Sequence, residues 1–95
     1  MSGQARAVPF TLYSRSWCHL CEDMLAALRL LETPQQPFAI TVLDVDADEA
    51  LVARFDELVP VLFGDPDGPE LCHYFLDTAR VEAYLAQCTP GNGAS

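Results

Sequence analysis

The chain has 95 residues, 51% of them hydrophobic and 20% charged, which favours one small domain with a packed core over disorder. Five Lys plus Arg against fourteen Asp plus Glu give a formal net charge of −9, so the surface repels nucleic-acid phosphates and anionic lipid. No apolar run approaches the ~20 residues of a membrane span, and the first eight residues lack the apolar core of a secretory signal. We therefore expect a single monomeric cytoplasmic domain over residues 1–95, with an ordered core over about residues 9–88, a frayed tail over 89–95, and no nucleic-acid or membrane partner.

The first half of the chain predicts a strand, a helix and a second strand. Residues 10–13 are mostly β-branched or aromatic and predict a short strand. From Cys18 onward apolar residues recur at helical spacing, with Ser16 as the expected N-cap and Thr33 followed by proline as the stop. The apolar stripe of this helix comprises Leu20, Cys21, Met24, Leu25, Leu28 and Leu31. Residues 38–45 are rich in Ile, Val and Thr and predict a buried strand.

Aspartates at alternate positions follow that second strand. This spacing resembles the opening of a calcium-binding loop, but such a loop needs Gly at its sixth position and Glu at its twelfth, where this chain has Glu49 and Phe55. The favoured interpretation is that the carboxylates end the strand and cap the next helix. The acidic positions are Asp44, Asp46 and Asp48, and the expected core face of the second helix is Leu51, Phe55 and Leu58.

The second half of the chain predicts a hairpin and a last helix. Residues 59–63 form the expected third strand, with Pro60 near its start because proline cannot donate to a strand ladder. Residues 64–69 are turn-forming, and residues 70–75 predict the returning strand. Asp77 is the expected cap of a helix whose core residues are Val81, Tyr84 and Leu85. The order β-α-β-α-β-β-α predicts an α/β fold, a mixed four-stranded sheet with helices on both faces.

Cys18 and Cys21 are the residues with the clearest chemistry. Two thiols three positions apart at a helix start can interconvert between dithiol and disulfide with little backbone movement. In a reducing compartment a close pair is more often catalytic or metal-binding than structural, and all three uses stay open at this point. A zinc site would need Cys72 and His73, but strand alternation points these two to opposite faces. Cys72 and Cys88 are expected to be free thiols.

The element order, the Cys-x-x-Cys pair after the first strand and Val59-Pro60 before the third together resemble the thioredoxin fold. Within that fold the chain is most similar to the glutaredoxin-like group, and the resemblance covers nearly the whole sequence. Tyr13 and Ser14 followed by Arg15, three residues before the first cysteine, are similar to the glutaredoxin lead-in. Trp17, directly before that cysteine, stands where thioredoxins have tryptophan.

The resemblance implies a dithiol–disulfide oxidoreductase, an electron-transport protein that reduces protein disulfides or glutathione mixed disulfides. It implies that Cys18 is the nucleophile, that Cys21 resolves the mixed disulfide, and that the Val59-Pro60 bond is cis and faces the dithiol. No bound cofactor is expected, and glutathione is the candidate co-substrate. The implied substrate-binding residues are Arg15, Trp17, Val59, Pro60, Asp77 and Thr78.

Two positions leave the substrate open. Glutaredoxins have Gly-Gly between the last strand and the last helix, where glutathione docks, whereas residues 74–78 contain no glycine. The dipeptide His19-Leu20 between the cysteines is neither the Gly-Pro of thioredoxins nor the Pro-Tyr of glutaredoxins. The alternative functions are a thioredoxin-fold module that binds an extended peptide beside Pro60 without turnover and, less favoured, a metal-holding protein.

Overall fold

A computed structural model describes residues 7–88, so residues 1–6 and the predicted tail 89–95 lie outside the described part of the chain. The elements follow the predicted order: β1 Val8–Ser14, α1 His19–Arg29, β2 Phe38–Asp44, a 3-10 turn Val45–Ala47, α2 Glu49–Phe55, β3 Val61–Phe63, β4 Glu70–His73 and α3 Thr78–Cys88. Within residues 7–88, no helix combines the length and the apolar character needed to cross a bilayer.

The four strands form one mixed sheet in the order β2-β1-β3-β4. β1 and β2 are parallel, and β3 is antiparallel to both of its neighbours, β1 and β4. β1, β2 and β4 therefore end at the same edge of the sheet, where β3 begins. We call this the top edge. Tyr13, near the end of β1, pairs there with Val61 at the start of β3.

Helices cover both faces of the sheet, as predicted, because successive strand residues point to opposite sides. Phe10 and Leu12 of β1 pack with α1 and α3 in the larger core, whereas Tyr13 packs with Phe55 of α2 in the smaller one. Tyr13 and Phe55 stack with ring centroids 4.5 Å apart. Three helix side chains in the larger core are almost fully buried: Met24, Leu28 and Val81. Each such side chain contributes about 1.5–3 kcal/mol of burial free energy.

The prediction for the limits of α1 was wrong at both ends. Its N-cap is Cys18, not Ser16: the Cys18 backbone is extended, and its Sγ accepts a hydrogen bond from the Cys21 amide at 3.0 Å. The helix ends at Arg29, before Thr33 is reached. There the amide of Leu31 bonds the carbonyl of Leu28, a tighter turn that does not continue the helix.

The predicted buried second strand was also wrong, since β2 lies at the edge of the sheet. Phe38 is buried, but Val42 and Leu43 are 47% and 39% exposed. A run of β-branched residues fits a strand whether or not a layer covers it, so the residue pattern did not distinguish an edge strand from a central one. β3 and β4 are shorter than predicted, and β4 ends where Tyr74 takes the left-handed φ of 66°.

The aspartates after β2 cap local structure, as predicted. Asp44 Oδ1 accepts a hydrogen bond from the Asp46 amide at 2.9 Å, and Asp48 Oδ1 accepts one from Ala50 at 2.8 Å at the start of α2. Asp77 Oδ1 likewise accepts from the Arg80 amide at 3.1 Å at the start of α3. These caps satisfy amides that have no partner within the helix.

Candidate active site

Cys18 and Cys21 form a disulfide at the N-terminus of α1, with their Cα atoms 5.2 Å apart. Cys18 is half-buried, whereas Cys21 is only 5% exposed and is one of the buried residues of α1, with Met24 and Leu28. The Cys21 amide points at Cys18 Sγ, and a helix N-terminus favours negative charge, so this end of α1 stabilises a thiolate on Cys18. The pair is thus arranged with one accessible sulfur and one protected sulfur.

Trp17 lies in the turn between β1 and the disulfide. Its backbone takes the left-handed φ of 61°, which is uncommon for a residue other than glycine. Its side chain is 98% exposed, and Leu20 between the two cysteines is 38% exposed. A large apolar side chain held in solvent beside a disulfide is suited to contacting a partner.

Arg15 does not point freely into solvent beside the cysteines. Its Nε and Nη2 donate to the two carboxylate oxygens of Asp46 at 3.1 and 2.8 Å. Nη2 also donates to Asp56 Oδ1 at 2.8 Å, and Nη1 to the Asp56 carbonyl at 3.1 Å. These hydrogen bonds, first those to Asp46 and then those to Asp56, raise the pKa of the Arg15 guanidinium. Arg15 therefore ties the turn before Cys18 to the 3-10 turn and to the end of α2.

The Val59-Pro60 peptide bond is cis, as the resemblance implied. Because Tyr13 pairs with Val61, Pro60 lies beyond the start of β3 at the top edge, the edge from which the chain runs on to the dithiol. Pro60 is buried, and its carbonyl accepts the Tyr74 amide at 2.9 Å. Substrate binding by Val59 and Pro60 stays a prediction.

Asp77 and Thr78 also lie toward the top edge, because β4 ends there. They are separated from β1 by β3, and two strand spacings amount to about 10 Å. Both side chains are exposed, but Asp77 is occupied as the cap of α3. The structure thus places this predicted pair on the same edge as the disulfide but not in the same cavity.

The geometry of Cys72 and His73 does not favour a zinc site. Cys72 is buried in the larger core, and this burial raises the pKa of its thiol. His73 is exposed on the other side of the strand, with Nδ1 2.6 Å from the carboxylate of Glu70. Within residues 7–88, no cluster of three or more His, Cys, Asp or Glu side chains is arranged to hold a metal ion. Cys72 and Cys88 are free thiols, as predicted.

A shallow cavity of about 230 Å³ lies against the disulfide. It combines predicted residues with residues that the sequence did not indicate. Its lining is Leu12, Ser14, Arg15, Ser16, Trp17, Cys18, Cys21, Glu22, Leu25 and Val42. The sequence analysis also did not predict the hydrogen-bond partners of Arg15. Asp46 was identified only as one of several alternating aspartates, and no sequence pattern indicated Asp56.

A family model, the Glutaredoxin-like domain (DUF836), matches residues 10–86. The solution NMR structure of protein Ne2328 from Nitrosomonas europaea is 40% identical, covers 88% of this chain and 98% of its own, and has a TM-score of 0.73. The X-ray structure of protein XcR50 from X. campestris is 35% identical, covers 82% and 96%, and has a TM-score of 0.63. A malarial protein at 16% identity and a TM-score of 0.52 shares the fold. No curated protein matches the chain. With the family model spanning most of its length, the chain belongs to the glutaredoxin-like family.

Proposed function

We propose that the protein is a thiol–disulfide oxidoreductase that uses Cys18 and Cys21 to reduce protein disulfides or glutathione mixed disulfides. The observation that supports this most directly is the disulfide at the N-terminus of α1, with Cys18 accessible and Cys21 buried. A purely structural disulfide has no need of one reachable sulfur at a helix N-terminus. Substrate would approach over exposed Trp17 and along the top edge beside Pro60.

The proposed reaction passes two electrons from the dithiol to the substrate. The Cys18 thiolate attacks one sulfur of the substrate disulfide: a bond between Cys18 and the substrate forms, the substrate S–S bond breaks, and the leaving thiolate takes a proton from solvent. Deprotonated Cys21 then attacks Cys18 Sγ, which forms the Cys18–Cys21 disulfide and releases the second substrate thiol. An external dithiol re-reduces the pair and is itself oxidised to a disulfide. Such a reaction belongs in a reducing compartment, and we propose the cytoplasm.

The environment of Cys18 supports this division of roles. The dipole of α1 contributes about 0.3–1 kcal/mol to a negative charge at its N-terminus, and the Cys21 amide adds a direct donor to the sulfur. The buried position of Cys21 delays its reaction with solutes but not with a sulfur already bonded to Cys18. Attack by Cys18 and resolution by Cys21 follow from that difference in access.

A single-turnover experiment tests the proposal. The protein is reduced, freed of reductant and mixed with a peptide disulfide, and oxidation is followed by the fluorescence of Trp17, the single tryptophan, next to Cys18. Cys18→Ser is expected to react only at the uncatalysed rate, and Cys21→Ser to accumulate a mixed disulfide detectable by mass spectrometry. Cys88→Ser, which alters a free thiol, is the control and is expected to react like wild type.

The same experiment separates the competing functions. If the reduced protein binds the peptide but its dithiol stays reduced, the protein is a peptide-binding module and the proposed activity is wrong. If Cys18→Ser reacts as fast as wild type, Cys18 is not the nucleophile.

A further inference from the structure

We infer that Asp46 and Asp56 determine the substrate class: by neutralising Arg15, they make the dithiol site select disulfides in cationic polypeptide segments over glutathione. The inference rests on the proposed oxidoreductase function and specifies its substrate. It depends on the charge at the cavity beside the disulfide, on the size of that cavity, and on the exposed apolar side chains around it.

Most of the N–H donors of Arg15 are occupied within the protein. Its contacts with the two aspartates occupy four of the five N–H donors of a guanidinium. Binding a carboxylate with two parallel hydrogen bonds needs two free donors, so Arg15 cannot hold a substrate carboxylate in that way while both aspartates are in place. Its one positive charge faces two negative charges. Arg15, which the resemblance implied as a substrate-binding residue, is thus part of a group with a net negative charge.

Of the arginines within residues 7–88, only Arg15 lines the cavity. Arg29 is in the last turn of α1, opposite the end that carries the cysteines, and Arg54 stacks over the ring of Phe55 with its Cζ 4.6 Å from the centroid. Arg80 is in the first turn of α3 and lines a different cavity, beside the hairpin turn. Glu22, by contrast, does line the cavity. Glutathione has two carboxylates and one ammonium group, so a cavity lined by Glu22 and by an arginine that two aspartates neutralise opposes it.

The cavity of about 230 Å³ is smaller than the ~300–1,000 Å³ of typical small-molecule sites. Around it, Trp17, Leu20 and Val42 present apolar surface to solvent. Tryptophan is one of the residues most enriched among the anchors of protein interfaces, and the aliphatic side chains extend its apolar surface. The site is therefore better suited to contact the side chains on either side of a cystine in a polypeptide than to enclose the tripeptide glutathione.

The charge predicts a measurable preference. An acidic site speeds association of cationic substrates by ~10-fold or more at low ionic strength, and salt weakens this effect as the Debye length shrinks. Wild type, reduced and freed of reductant, is mixed at pH 8 with three oxidants: a peptide disulfide flanked by arginines, a peptide of the same length flanked by aspartates, and oxidised glutathione. We expect the cationic peptide to oxidise the dithiol about tenfold faster than either anionic substrate at low salt, with the ratio falling as salt is added.

The decisive variant is Asp46→Asn/Asp56→Asn, which removes both carboxylate charges that face Arg15. Its expected effect is a rate with oxidised glutathione about tenfold above wild type and a smaller preference for the cationic peptide. The matched control is Asp67→Asn/Glu82→Gln. It makes the same change in net charge on the hairpin turn and on α3, outside the cavity, and is expected to stay within about twofold of wild type. Should circular dichroism show the first variant unfolded, Asp56→Asn, which keeps both Asp46 contacts, is expected to give a smaller rise of the same sign.

These measurements test the substrate preference separately from the proposed oxidoreductase function. The inference is overturned if wild type prefers oxidised glutathione or the anionic peptide, or if the control raises the glutathione rate as much as the Asp46/Asp56 variant does. It is also overturned if folded variants lacking these aspartates show no rise. Failure of all three oxidants to oxidise the wild-type dithiol would instead overturn the proposed oxidoreductase function, and the inference with it.

Discussion

Replacing Leu28 with alanine tests whether α1, which carries the dithiol, is held in place by the larger core. Leu28 is 0% exposed and lies two turns after Cys21 on the same helix. The substitution removes roughly three buried carbon groups at ~0.8 kcal/mol each, or about 2.4 kcal/mol of transfer free energy. The cavity left behind adds to this, so the free energy of unfolding should fall by about 3–4 kcal/mol.

Leu30→Ala is the matched control, because Leu30 is 84% exposed at the end of the same helix. Its effect should stay within about 0.5 kcal/mol. Urea unfolding followed by far-UV circular dichroism measures both variants. Trp17 is a poor probe here because its side chain is already 98% exposed in the folded state. Equal losses for Leu28→Ala and Leu30→Ala would refute the packing of α1 described above.

Three further predictions follow from the contacts around the site and the core. In the reduced protein Cys18 should be alkylated before Cys21, as peptide mapping after limited iodoacetamide treatment would show; preferential labelling of Cys21 contradicts the assigned roles. Burial raises the pKa of Tyr84, so the folded state keeps the phenol proton at a pH where the unfolded chain has lost it. The contribution of neutral Tyr84 to the free energy of unfolding is therefore fully present below pH ~10 and is lost as the pH rises further. Urea titrations at pH 9 to 11 should therefore show a steeper decline for wild type than for Tyr84→Phe, and parallel curves would argue against the assignment. Gly64→Ala should lower the free energy of unfolding by about 1–3 kcal/mol, because its Cβ would overlap the Tyr84 ring. Gly68→Ala, whose Cβ would lie 3.3 Å from the Asp65 carbonyl oxygen, should lower it less in the same urea assay.

The charge network around Arg15 gives the family resemblance a specific meaning in this chain. A cation three residues before the first cysteine is shared with glutaredoxins, but here its hydrogen bonds go to two aspartates of the same protein. Under the inference above, the position is kept while its electrostatic effect on an incoming substrate is reversed. This is why we propose a glutaredoxin-like dithiol that acts on polypeptide disulfides.

Local patterns were sufficient for the elements and for the dithiol. The helical spacing of Met24 and Leu28 places both in the core, since residues three and four apart share one helix face. Asp48 and Asp77 cap helices because a short side-chain acceptor reaches the amide two or three residues on. The Cys-x-x-Cys spacing alone brings two sulfurs together on one helical turn. Each of these results depends on residues a few positions apart.

Only the tertiary structure decided how exposed β2 is and which residues bind Arg15. The exposure of Val42 follows from the sheet order, which depends on how whole strands pair. Arg15 meets Asp46 and Asp56 across 31 and 41 positions of sequence, a contact that exists only once α2 has packed on the sheet. Local periodicity and capping are set by neighbouring residues, whereas the neutralisation of a charge depends on which distant segments the fold brings together. The sequence therefore determined the presence of the dithiol, and the tertiary structure determined the electrostatic environment in which it reacts.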